Sequence, residues 1–476
     1  MEKNSISRRT FLKSTAVAGT LGAIGTGSAS VLTSCAGGKA TDAAPANVPL
    51  KEPGTYYIPE LPDLAADGKE LKAGIIGCGG RGSGAAFNFL NAANGVTITA
   101  LGDTFKDRVD DLANNLKKEK NIDIPADKRF TGLDAYKSVI DSGVDVVLVA
   151  TPPLFRPIHF QYAVEKGKHC FLEKPICVDP TGYRLIVATS KQAAAKNLCV
   201  VTGTQRHHNR DYVESYKHIM DGAIGEITGG TVWWNGGMLW FRDRQPGWSD
   251  GEWMIRDWVN WIWLSGDHIV EQHVHNLDVW TWFTGLKPVS AVGFGSRQRR
   301  VTGNQFDNFS VDFEMENGIH LHSMCRQIHG TPSNVSEFIQ GTKGSWHSSG
   351  HVIKDLKGNV IWKYDYEAQN AKFKQSDPYT LEHVNWINHI RSGKPIEQAS
   401  ETAVANMYAI MGRESAYTGQ KITWQEMTAS TLDLYPKDID LVKKMDVQGY
   451  GSGKEYKLPD YIHIAGQVSP GSKQTR

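Results

Sequence analysis

The 476-residue chain lacks several features that would mark whole classes of protein. It has no excess of charge: 52 basic residues face 51 acidic ones, a formal net charge of +1. A nucleic-acid-binding chain carries a basic stripe or patch, so nucleic acid is not expected as a partner. Cysteine is scarce, six residues with no CxxC pair and no metal-ligand spacing, which argues against a zinc site or a disulfide framework. Cys78, Cys170, Cys177 and Cys199 fall in or beside apolar, strand-like runs and read as buried structural thiols. After residue 32 no apolar run reaches the length of a membrane-spanning helix. No internal repeat is present.

What apolar character the N-terminus has is short and weak, an Ala/Gly-rich stretch from Ser14 to Leu32. It suits a signal segment better than a membrane span. Ser7-Arg8-Arg9-Thr10-Phe11-Leu12-Lys13 precedes it and matches a twin-arginine export signal. An ordinary secretory signal has the same layout without that pattern. Leu32-Thr33-Ser34-Cys35 resembles a bacterial lipobox, in which Cys35 becomes the lipidated first residue. The alternative is a small-residue cleavage site with an incidental cysteine. The expectation is a periplasmic or cell-envelope lipoprotein whose only membrane contact is the lipid on Cys35. Residues 36–70 are rich in Ala, Pro, Gly and Asp and read as an extended arm or linker.

From Leu71 the pattern becomes regular. The apolar run Ala73-Gly74-Ile75-Ile76 leads into Gly77-Cys78-Gly79-Gly80-Arg81-Gly82, a G-x-G-x-x-G at the end of a predicted strand. A helical segment follows from Gly84, then a second strand, Val96–Leu101, ending at Asp103. The first glycine allows a tight turn, the second lets a pyrophosphate approach the backbone, and the third lets helix pack on strand. The helix N-terminus presents free N–H groups to phosphates. Asp103 can accept hydrogen bonds from a ribose diol. That favours NAD; Lys106 and Arg108 nearby leave NADP open. Val144–Ala150 is a continuous apolar strand, as a sheet covered on both faces requires. It ends at Thr151-Pro152-Pro153, on the carboxyl edge where open α/β sheets bind ligands. Two further strand–helix units carry His169–Leu172, then Glu173-Lys174-Pro175, and Leu198–Gly203. A doubly wound parallel sheet from 71 to 206 is the result.

Residues 207–430 change period. Thr228–Trp234, Val289–Ser296, Phe309–Glu316 and Ile319–Arg326 alternate as antiparallel strands do, with Asn317-Gly318 as a hairpin turn. This is a second, α+β domain with a largely antiparallel open sheet, and 431–476 is a C-terminal extension. Ten of the 14 tryptophans lie between Trp233 and Trp282. Trp240, Trp248, Trp253 and Trp258 sit among Arg242, Asp243, Arg244, Asp250 and Arg256. Such a stretch suits stacking on a sugar ring, or else plain packing.

Together these motifs resemble the Gfo/Idh/MocA family, named for glucose–fructose oxidoreductase and inositol dehydrogenase. The resemblance runs from Lys72 to about Trp424. Its carriers are Gly77–Gly82, Asp103, Thr151-Pro152, Glu173-Lys174-Pro175, and Glu271-Gln272-His273-Val274-His275-Asn276-Leu277-Asp278. The family usually writes the last as D-x-G-x-H-x-x-D. Here Glu271 replaces the first acid and His273 the glycine, and Arg156 stands where a histidine is frequent. The resemblance implies a Rossmann cofactor domain. The cofactor contacts are then Gly77, Gly79, Gly80, Arg81, Gly82, Asp103, Thr151, Pro152, Glu173 and Lys174. Candidates for substrate contact are Arg156, Arg206, Trp240 and Trp258. A homo-oligomer, dimer or tetramer, is expected.

The chemistry follows from residue types. Hydride transfer from a secondary alcohol needs a group to take the hydroxyl proton and a cation to stabilise the developing alkoxide. Lys174 follows a strand of the cofactor domain and can supply the cation. His275 can accept the proton near neutral pH. Glu271 lies one helical turn before His275 and can orient it, and Asp278 at i+3 shares that side. His268, Glu271, His273 and His275 also suggest a metal, but no other ligands converge on them and none is expected. Three functions stay open. One is an NAD(P)-dependent oxidoreductase acting on a sugar, polyol or sugar derivative. Another is a glycosidase that borrows a hydride, by oxidation, elimination and reduction. The third is a non-catalytic surface carbohydrate-binding lipoprotein.

Overall fold

In the computed structural model, residues 50–436 are described, apart from 53, 54 and 301. The expected twin-arginine segment, Cys35, and the extension beyond 436 lie outside the described residues.

Six parallel strands form the first sheet: β1 (Leu71–Ile76), β2 (Val96–Asp103), β3 (Arg129–Thr131), β4 (Val146–Val149), β5 (His169–Leu172) and β6 (Val200–Thr202). Their order is β3-β2-β1-β4-β5-β6. The reversal between β1 and β4 creates the crevice that open α/β sheets use for ligands. The strands read as unbroken apolar runs because both faces are covered. Val146 and Leu148 enter one core, Val147 and Val149 the other. The second core includes residues of the Ala135–Asp141, Arg156–Glu165 and Pro180–Ala195 helices. The first is built from the Gly80–Ala92 and Lys106–Lys120 helices and, from far along the chain, the Pro378–Ser392 helix. Leu381, Val384, Trp386 and Ile387 of that helix pack with Phe89 and Phe171. The doubly wound domain is therefore completed by residues that sequence order places in the second domain.

The second sheet has nine strands: β7 (Ile227–Gly236), β8 (Pro288–Ser296), β9 (Asn308–Met315), β10 (His320–Gln327), β11 (Asn334–Gly341), β12 (Gly344–His347), β13 (Val352–Asp355), β14 (Val360–Lys363) and β15 (Ile422–Thr423). Their order is β14-β13-β12-β11-β7-β10-β9-β8-β15. The Asn317-Gly318 hairpin joins β9 to β10 as expected, with Gly318 at φ +76°. One pairing breaks the antiparallel rule, since β10 runs parallel to β7. The Val274–Thr284 and Ala399–Thr418 helices pack on the sheet. Gly230 makes room for this: a Cβ there would lie 2.5 Å from the Trp280 ring.

The described part of the arm is tied to the body. Tyr57 donates to Asn385 Oδ1 at 2.7 Å, the Ala66 N–H donates to Asn388, and Arg391 donates to the Ala66 carbonyl. Leu61 and Ala65 are buried in the core that holds the Pro378–Ser392 helix.

Candidate active site

The glycine loop needs its glycines for stated steric reasons. Gly77 has φ +92°, and a Cβ there would lie 2.7 Å from the backbone of Ala150 and Thr151. A Cβ on Gly82 would lie 1.7 Å from the Gly77 carbonyl oxygen. At Gly80 a Cβ would meet nothing within 4 Å, because that position opens on the crevice. Gly79 caps the Gly80–Ala92 helix with no side-chain hydrogen bond, which leaves the first N–H groups for an anion. Asp103 holds the loop: its Oδ2 accepts from the Cys78 N–H at 2.7 Å and its Oδ1 from the Phe105 N–H at 2.9 Å. Burial pushes its carboxyl up, while those bonds and Arg108 oppose the rise.

A cavity of about 270 Å³ lies over this loop. Gly77, Gly79, Gly80, Arg81, Asp103, Thr151 and Pro152 line it on one side, while Gly82, Glu173 and Lys174, also expected as cofactor contacts, do not. Trp240, Arg242, Ile255 and Trp258 line it on the other. The two indoles expected at a sugar therefore stand at the end of the crevice beside β2, in the same cavity as Asp103. Their ring centroids are 6.1 Å apart. Neutral polarity in a loop-like stretch could not tell a sugar platform from a cofactor wall.

Two arginines expected near ligands are turned to other work. Arg156 is 3% exposed and donates to the carbonyls of Thr151, Glu173 and Pro175 at 2.7–2.8 Å. It clamps the ends of β4 and β5 together, and so fixes the Lys174 loop instead of meeting substrate. Arg206 pairs with buried Glu337 and lies 5.8 Å from the Trp234 ring. Arg81 lines the crevice yet also pairs with Glu173 and, at 3.2 Å, with Glu382. Burial works against both carboxylates. Arg81, Arg156 and Lys174 together outweigh it at Glu173, while Glu382 is pushed well up. The missing Cβ of Gly203 leaves the space that Glu173 fills.

Lys174 and His275 come together, but not as a continuous helix would place them. The expected helix is two short ones, His268–Glu271 and Val274–Thr284. At the break the bonds tighten to three-residue steps, with His275 N–H donating to the Gln272 carbonyl and Asn276 N–H to His273. His273 is fixed there by Ser323, 2.7 Å from its Nε2. The break turns Glu271 toward Lys174: Nζ is 2.7 Å from the Glu271 carbonyl oxygen and 3.1 Å from its Oε1. The expectation that Glu271 orients His275 is corrected, since the spacing rule behind it holds only within one helix. Asp278 departs too. Its Oδ2 lies 2.8 Å from His207 Nε2, in a separate cavity of about 460 Å³ that Trp282 and Tyr57 also line. Burial opposes charge on His207, but Asp278 raises the imidazole above its ordinary value.

His275 is 5% exposed and stacks 5.5 Å from Trp234. Burial, then Lys174 and Arg206, hold its imidazole well below the usual range. It is neutral at neutral pH and can accept a proton. Lys174 has three donors, and Glu271 occupies two of them, which leaves one for a ligand oxygen. Among the described residues, no three His, Cys, Asp or Glu side chains are grouped to hold a metal ion. His268 instead lies 3.1 Å from its neighbour Asp267. Arg108, noted in the sequence beside Asp103 as leaving NADP open, has its guanidinium over Gly79, 2.3 Å from where a Cβ would be.

With this geometry in hand, comparison with known proteins gives two family matches. Residues 71–214 match an oxidoreductase family with an NAD-binding Rossmann fold, and residues 212–347 match the GFO/IDH/MocA C-terminal domain. A scyllo-inositol 2-dehydrogenase (NAD(+)) of Bacillus subtilis is 23% identical over 343 residues, 68% of this chain and 87% of that protein. A glycosyl hydrolase family 109 protein of Streptomyces coelicolor is 28% identical over 228 residues. That match spans 48% of this chain and 44% of the relative, less than half its length. A crystal structure of scyllo-inositol dehydrogenase from Lactobacillus casei with bound cofactor NAD(H) and scyllo-inositol shares the fold. Its TM-score is 0.56 at 18% identity, covering 74% of this chain and 99% of that one.

Proposed function

The chain belongs to the Gfo/Idh/MocA oxidoreductase family, with an NAD-binding Rossmann domain, and from that premise we propose that it oxidises a secondary hydroxyl of a sugar, polyol or sugar derivative. The observation that carries this is Lys174, just past β5, fastened to Glu271 four residues before the buried His275. When bound, NAD⁺ supplies the hydride acceptor. The third N–H of Lys174 is directed to the substrate oxygen and stabilises negative charge as it develops. His275 takes the hydroxyl proton. Arg156 keeps the lysine loop rigid by holding three carbonyls, so the cation is in place before substrate arrives.

A second reading is favoured by the glycosyl hydrolase relatives, which match as well as the dehydrogenases do in identity. In it the same hydride returns to the sugar after the glycosidic bond breaks. The N-terminal segment bears on this choice. We propose export by the twin-arginine route with Cys35 as lipid anchor. Outside the cytoplasm no pool of free NAD is maintained, so the cycle must restore its own cofactor. Either a second substrate takes the hydride or the first takes it back. The test is to denature purified protein, weigh the released nucleotide, and assay the parent on polyol and glycoside panels for reduced nicotinamide and freed sugar. Near one nucleotide per chain, with turnover unaffected by added NAD⁺, is the expected result. Steady release of free NADH dependent on added NAD⁺ would instead mark an ordinary dehydrogenase.

A further inference from the structure

We infer that residues 237–258 form a latched clasp over the adenosine half of the bound dinucleotide, with Trp240 and Trp258 against the base and Arg108 and Arg242 on the phosphates. This rests on the reading that the crevice takes a dinucleotide. Four side chains of the second domain, Trp240, Arg242, Ile255 and Trp258, close the cavity that the glycine loop and Asp103 open. The cavity floor at Phe105 lies just past β2, where the adenosine of a Rossmann-bound dinucleotide sits.

The clasp is held shut by named contacts. Arg256 makes a two-point pair with Asp107, 2.9 and 3.1 Å. Its guanidinium carbon lies 3.8 Å from the Phe105 ring centroid. Glu252 holds the same arginine from behind at 2.7 Å. Within the segment, Arg244 pairs with buried Asp250 at 2.6 Å, and Trp253 donates to the Arg242 carbonyl at 2.7 Å. The segment is thus braced internally and fastened to the cofactor domain at one point.

Two guanidiniums facing this cavity make no salt bridge among the described residues, although Asp103 lies near Arg108 and Asp257 near Arg242. Neither guanidinium donates a side-chain hydrogen bond among the described residues; Arg108 lies over the Phe105 ring and Arg242 over the Trp240 ring. Arg108 occupies the space above Gly79, the position reserved for a pyrophosphate. The two cations repel each other, and an anion between them is favoured. An adenosine diphosphate moiety supplies that anion, together with a flat base for the indoles, for which aromatic stacking is a general mode of recognition.

The test uses full-length protein carrying its nucleotide, with release followed by gel filtration and mass spectrometry. Arg256→Gln, Asp107→Asn and Trp240→Ala should each release nucleotide at least about tenfold faster than the parent. The Asp107 side chain is 58% exposed and Trp240 is 44% exposed, so loss of folding is not the expected cause. The exchange Asp107→Arg with Arg256→Asp should restore slow release. Bound nucleotide should also shield Arg242 and Arg244 from trypsin in the parent. Release at parental rates in all three single variants would overturn the clasp while leaving the cofactor reading intact. A parent that binds no nucleotide even when NAD⁺ is supplied in excess would overturn both.

Discussion

Replacing Glu271 by glutamine should damage hydride transfer through Lys174 and leave His275 untouched. The ammonium and carboxylate are 3.1 Å apart, with side chains only 14% and 10% exposed. At an effective dielectric of about 20 their gross attraction is about 5 kcal/mol. Much of this is offset by desolvation, and the 2.7 Å bond from Nζ to the Glu271 carbonyl survives the change. What is lost is close to one hydrogen bond between charged partners, about 1.5–3 kcal/mol. That corresponds to about 10- to 100-fold in rate. The assay is single-turnover reduction of bound nucleotide, read from the near-ultraviolet absorbance of reduced nicotinamide, on variants checked for equal nucleotide content. Lys174→Met alone should cost at least about 10²-fold. Adding Glu271→Gln to Lys174→Met should then cost little more, because the partner is gone. Adding it to His275→Ala should cost its full amount. The opposite pattern, coupling to His275 and independence from Lys174, would show that Glu271 orients the imidazole and refute the pairing described here.

Asp103→Ala should reduce the preference for NAD over NADP, since its carboxylate welcomes a 2′-hydroxyl and repels a 2′-phosphate; an unchanged ratio of the two affinities would count against that role. Acid should destabilise the fold early. Burial holds His159, His208 and His273 down to about 3 from an ordinary value of 6.5. Folded values below unfolded ones mean that the unfolded chain binds more protons as pH falls through 6.5, and stability drops accordingly. By pH of about 5 each costs at most about 2 kcal/mol, so calorimetry that found equal Tm at pH of about 7.5 and 5 would contradict it. Replacing Arg8 and Arg9 together by lysine should leave the protein in the cytoplasm, and Cys35→Ala should leave it exported but unlipidated. Membrane fractionation like the parent's in both would refute the signal reading.

How much was legible in the sequence varied with the range of the interaction. The glycine loop, Asp103 and the Asn317-Gly318 turn are local. Their chemistry is set within a few residues, and the structure has them where the spacing put them. Lys174 was legible because its strand is. The errors lie where one side chain chooses among distant partners. Periodicity made Glu271 and His275 share a helix face, but Lys174, nearly a hundred residues earlier, draws Glu271 away. Asp278 was read as part of the same site, yet His207 holds it. Arg156 looked free for substrate because backbone carbonyls leave no trace in a sequence. The parallel pairing of β7 with β10 depends on a register fixed only once the sheet assembles.

The Pro378–Ser392 helix ties the nucleotide domain to the order of synthesis. A ribosome delivers the chain from its N-terminus, and domains generally close as units when their last element emerges. All six strands of the first sheet are available by Thr202, but the face lined by Phe89 and Phe171 lacks Leu381, Val384 and Trp386 until nearly two hundred more residues have been made. Until then the Gly80–Ala92 and Lys106–Lys120 helices cover that face without the third helix that completes it. A fragment ending near residue 206 should accordingly be insoluble. The core of the nucleotide domain is therefore complete only once residue 387 has been made.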